Sequence, residues 1–166
     1  VHQIIAGFFI WKLASHWQAS RLGSMIAIVI YLFGGFSTIQ ASKEWAVLGM
    51  AWLPGAFLGT EWWIAFRSRK GLALLAISLA NLALIGHFQV AQITSLGLFI
   101  WVLTRVILMP ALLRSIPGLI LSIAIALLIA SPQLAVSWKY ANEVGANERS
   151  FSILAYYSYP LMNFTE

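Results

Sequence analysis

Apolar stretches at about residues 1–14, 23–41, 45–66, 71–85, 90–108 and 116–130 follow one another with only short polar breaks between them. A helix needs roughly 20 apolar residues to cross about 30 Å of hydrocarbon, and several of these stretches approach that length. A chain with this pattern has no polar face to offer water. Composition agrees: 61% of the 166 residues are apolar and 9% are charged, against roughly 25% charged in soluble domains. Mean hydropathy is +0.86. The expected fold is all-α, a polytopic transmembrane helix bundle.

The first stretch is short for a span and is expected to be the tail of a helix whose beginning lies upstream, in a longer polypeptide. About five full spans follow it. Residues 1–134 are expected to form the transmembrane helical domain. Residues 135–166 are expected to form an external polar and aromatic tail, or the start of an external segment, because Pro132 should end the last helix. Gly34 and Gly35 read as a close-packing pair in the second span. Gly55 and Gly59 have the spacing of a helix-packing motif, although in a chain so rich in small residues it says little about dimerisation.

Alternate loops differ in basic residues. Lys12, Arg21, Arg67, Arg69, Lys70, Arg105 and Arg114 fall on one side, and Lys43, Lys139 and Arg149 on the other, seven against three. The excess of Lys and Arg in cytoplasmic loops places the first group inside, with Arg67, Arg69 and Lys70 as the principal topology anchors. The breaks near residues 42 and 86–89 and the tail then lie outside. The formal charge of +5 is explained by these flanking positions, not by nucleic-acid binding. The chain has no cysteine and no aspartate, which removes thiol chemistry and the commonest carboxylate catalyst.

The polar residues that interrupt the spans are the candidates for function. His87 and Gln89 sit in a very short external turn, either satisfying helix ends or lining an outward cavity that touches a polar headgroup. Gln133 follows Pro132 at a second break on the same side. Arg149, in the tail, could grip a phosphate bidentately or pair with Glu148 or Glu143. Glu61 is the one acid placed within a span, and an ionic partner such as Arg67 or another interfacial cation is expected for it. His87 lacks companions at metal-ligand spacing, so no metal site is expected there. Trp11, Trp45, Trp62 and Trp63 suit interfacial anchors, while Trp52 and Trp101 lie deeper, between helices.

Four segments, YLFGGFS at 31–37, AWLPGAFL at 51–58, GHFQ at 86–89 and ASPQL at 130–134, occur in an order that resembles the bacterial YfhO-like membrane proteins of the GT-C glycosyltransferase superfamily. Asn147, Glu148, Arg149 and Ser150 fit the polar strip that follows in that family, so the similarity covers most of residues 20–160. Phe88 stands where the family often has proline. The resemblance implies a GT-C-like fragment of the bacterial inner (cytoplasmic) membrane. Enzymes of that superfamily place a catalytic acid, commonly aspartate, in the first large external loop, which would precede Val1. No cofactor is evident; a complete enzyme could take a divalent metal, whose ligands are not identifiable here.

The leading expectation is a segment of a membrane glycosyltransferase that uses a polyprenyl-phosphate-linked sugar at the external face. His87, Gln89, Gln133 and Arg149 would then contact substrate or lipid phosphate. The alternative is a non-catalytic membrane subunit or scaffold packed in a larger complex. Expected partners are membrane lipids and either the rest of a longer polypeptide or other membrane subunits. A transporter lacks an inverted repeat, and a channel lacks a polar pore-lining face.

Overall fold

The computed structural model describes residues 1–39, 42–86 and 88–143, and every element among them is helical. In chain order these are α1 (His2–His16), α2 (Arg21–Phe33), α3 (Gly35–Ile39), α4 (Glu44–Phe66), α5 (Arg69–Leu84), α6 (Phe88–Leu108), a 3₁₀ segment (Pro110–Ser115) and α7 (Ile116–Glu143). The chain divides into two compact units, Val1–Gln133 and Leu134–Glu166. In the second, the described residues are the closing turns of α7, where Lys139 and Glu143 pair at 3.8 Å.

Helices occupy each apolar stretch, and three segments are long and apolar enough to cross a membrane: Arg21–Ile39, Gln89–Leu108 and Pro110–Tyr140. Little of these segments is buried within the chain, at 6%, 11% and 22%. Leu22, Ile30 and Phe33 on α2, Ile93 and Ile107 on α6, and Leu128 on α7 all stay exposed. Leaving such side chains in water would forgo about 1.5–3 kcal/mol each, whereas in lipid the exposure carries no such cost. These three segments therefore turn their apolar side chains outward.

The centre of the bundle is α4, whose buried side is built from small residues: Ala46, Gly49, Ala51, Gly55, Ala56, Gly59 and Thr60. Small residues let backbones approach closely, which is how helices associate where lipid is as apolar as leucine. A Cβ on Gly59 would lie 2.6 Å from the Leu75 amide nitrogen and 2.7 Å from the Gly71 carbonyl oxygen. A Cβ on Gly55 would meet Ser78 Oγ at 2.7 Å. The G-x-x-x-G spacing thus serves α4 against α5 inside one chain. Leu75, Leu98 and Leu119 complete the core around Ala56, and Ser122 Oγ on α7 donates to the Leu72 carbonyl on α5 at 3.1 Å.

Three irregularities show how the backbone is kept satisfied without water. Pro54 inside α4 leaves the Met50 carbonyl without its helical N–H, and Tyr31 Oη from α2 donates to that oxygen at 2.8 Å. Pro132 inside α7 similarly frees the Leu128 carbonyl, and Ser131 Oγ donates to it at 2.8 Å. The expectation that Pro132 ends the last helix is corrected for this reason: the hydroxyl beside it replaces the missing bond, and α7 continues to Glu143. The second correction is at Gly34 and Gly35, where the helix breaks. Gly34 takes an extended conformation, and nothing lies within 4 Å of where a Cβ on Gly35 would sit. Thr38 Oγ1 takes up the Phe33 carbonyl at 3.0 Å, so the break too is capped by a hydroxyl.

The Tyr31 bond gives a direct test. Tyr31→Phe should lower stability by about 1 kcal/mol, the ordinary worth of such a hydrogen bond. Pro54→Ala restores an N–H to Met50, so the double variant should recover most of that loss in detergent unfolding assays. A loss that persists in the double variant would place the role of Tyr31 elsewhere.

Candidate functional site

Two polar locations stand out, one at each end of the Val1–Gln133 bundle. The first lies where α5 turns into α6. Gly86 has φ +75°, a conformation that costs glycine nothing and other residues about 1 kcal/mol or more. Its N–H donates to the Ala83 carbonyl at 3.3 Å and closes the helix. Gln89 is exposed in the first turn of α6. A Cβ on Gly86 would sit 3.7 Å from Gln133 Nε2 on α7. Gly86 in the first sequence break and Gln133 in the second therefore meet at one end of the bundle. His87 and Arg149 lie outside the described residues.

The second location is centred on Glu61, which is fully buried. Its Oε1 accepts from Trp101 Nε1 at 2.7 Å. Its Oε2 is approached by His16 Nε2 at 3.3 Å, Trp17 Nε1 at 3.5 Å and Arg105 at 3.3 Å. Three helix ends converge here: α1 supplies His16 and its following residue Trp17, α4 supplies Glu61, and α6 supplies Trp101 and Arg105. Ring contacts reinforce them, with Trp17 and Trp101 at 5.5 Å and the Arg105 guanidinium 5.8 Å from the Trp101 ring. A carboxylate has about four lone-pair sites, and four donors surround this one. It is buried and ties α1, α4 and α6 together, as a structural clamp does.

The ionic partner of Glu61 is Arg105, and Arg67 has a different task. Arg67 lies past the end of α4 in the left-handed conformation, φ 52°, with its N–H bonded to the Trp63 carbonyl at 3.0 Å. Its guanidinium donates to the Arg114 carbonyl at 2.9 Å and covers the Trp63 ring at 5.3 Å. Trp63 Nε1 in turn donates to the Ser115 carbonyl at 2.8 Å. One sequence signal pointed to the true partners: Trp101 and Arg105 are four residues apart, on one face at the end of α6. Their meeting with His16 and Trp17 has no local signature.

Among the described residues no group of three or more His, Cys, Asp or Glu side chains could hold a metal ion. Exposed apolar spans around a small-residue interior and a buried ionic clamp define the class: an α-helical membrane protein. Comparison with protein-family models, curated proteins and solved structures gave no significant match.

Proposed function

We propose that the chain is the helical portion of a GT-C-like membrane glycosyltransferase that receives a polyprenyl-phosphate-linked sugar at the end where Gly86 and Gln133 meet. The observation that carries this reading is that convergence: Gly86 and Gln133, which belong to two of the segments on which the resemblance rests, are brought together across more than 40 residues of sequence. A glycine turn that admits close approach, beside amides that can donate, suits a phosphate oxygen. In the reaction, an acceptor oxygen attacks the anomeric carbon and gives its proton to a carboxylate. The carbon–oxygen bond to phosphate breaks, and the phosphate leaves with the electron pair. Gln89 and Gln133 would stabilise that leaving group. Glu61, enclosed at the opposite end, is not that carboxylate.

The scaffold reading has one observation in its favour. A cleft lined by Gln3, Leu32, Ser37 and Met50 offers about 20 Å³, room for about one water. Transfer of sugar from a polyprenyl-phosphate donor, measured in membranes containing the full polypeptide, separates the two. Gln133→Ala should raise the donor KM about tenfold, the worth of one hydrogen bond to a charged group, with unfolding unchanged. Transfer that ignores Gln133, or no transfer by the wild type, would favour the scaffold.

A further inference from the structure

The end of the bundle opposite Gly86 carries positive charge that no acid among the described residues of Val1–Gln133 neutralises. The Arg67 side chain, bonded to the Arg114 carbonyl, brings the α4–α5 turn beside the 3₁₀ segment. Arg67, Arg69, Lys70 and Arg114 are all exposed. Among the described acids of Val1–Gln133, Glu44 opens α4 at the other end and Glu61 is buried against Arg105. The first turn of α5, which bears Arg69 and Lys70, holds no acid and no side-chain cap. Exposed apolar side chains adjoin them in sequence: Phe66 precedes Arg67, Met109 precedes the 3₁₀ segment and Leu113 precedes Arg114.

We infer that this surface binds the headgroup of an anionic phospholipid, with Arg69, Lys70 and Arg114 on the phosphate and Phe66, Met109 and Leu113 along the acyl chains. Charge selects a phosphate-bearing partner, and the apolar side chains beside it select one that is also a lipid. Basic residues close to a membrane surface each favour an anionic lipid by about fivefold. Arg67 positions Arg114 through its bond and is left intact in the test. The inference rests on the membrane placement and is independent of sugar transfer.

The test uses the full chain purified in detergent, mixed with dioleoylphosphatidylglycerol or dioleoylphosphatidylcholine, with retained lipid read by native mass spectrometry. The wild type should retain the anionic lipid at least about tenfold over the zwitterionic one. Arg69→Gln, Lys70→Gln and Arg114→Gln combined should reduce that preference to near parity with the unfolding temperature unchanged. Arg69→Lys with Arg114→Lys, which keeps the charge, should preserve it, as should Lys43→Gln at the other end. Equal retention of both lipids by the wild type would overturn the inference. So would a preference that survives the triple variant, or one displaced by equimolar inorganic phosphate, which would mark a site for free anions.

Discussion

Replacing Glu61 by alanine is expected to destabilise the protein by about 3 kcal/mol or more, among the largest effects available from a single side chain in this chain. Removing one member of a buried ion pair leaves the other uncompensated, at a cost of about 3–5 kcal/mol. Here the partner Arg105 keeps 35% of its side chain exposed, so its own penalty falls at the low end. Two indole N–H groups and His16 lose their acceptor as well. Each buried donor left unmade adds to the loss. Glu61→Gln should be milder, because the amide oxygen still accepts from Trp101 while the charge opposite Arg105 is gone. Unfolding in detergent, followed by tryptophan emission, reads the effect directly, since Trp17 and Trp101 line the clamp. A Glu61→Ala protein as stable as the wild type would show that α1, α4 and α6 are held together by packing alone.

The second large effect is expected at Gly59. Its missing side chain is replaced by the backbone of α5, with the Leu75 nitrogen and Gly71 oxygen within 2.7 Å of a built Cβ. A flexible side chain could swing away, but a helix backbone must move as a body. Gly59→Ala should therefore cost about 1–3 kcal/mol, the usual range for overpacking, and Gly59→Val more. Gly35→Ala is the control: nothing lies within 4 Å of that position, and the change should stay within about 0.5 kcal/mol. Comparable losses at the two positions would mean that the α4–α5 contact is looser than described.

These two residues also mark what could be read in the sequence. The helix boundaries were legible because polar breaks are costly within lipid: the stretch at 45–66 became α4, and the Arg67, Arg69 and Lys70 cluster separates α4 from α5. The small-residue face of α4 was visible, but its partner was not, since G-x-x-x-G spacing does not say which helix it meets. Pro132 was misread because proline rules concern the lost N–H, and the neighbouring Ser131 hydroxyl supplied the replacement. Gly34 and Gly35 were read as packing residues and instead permit a break. Glu61 was recognisable as an intramembrane acid, yet its donors lie 40–45 residues away along the chain, beyond any local pattern. The approach of Gln133 to Gly86 was implied only as a shared side, and packing turned it into proximity.

The central claim is a membrane-crossing bundle with Gly86, Gln89 and Gln133 at one surface and Arg67, Arg69 and Lys70 at the other. The absence of cysteine makes it directly testable with single-cysteine variants in intact cells. Ser68→Cys and Gln89→Cys flank α5, and each is exposed to a membrane-impermeant maleimide only from the side on which it lies. Gln89→Cys should label from outside, and Ser68→Cys only after the membrane is permeabilised. Labelling of both residues from the same side would contradict the bundle, because its two ends would then face one side of the membrane.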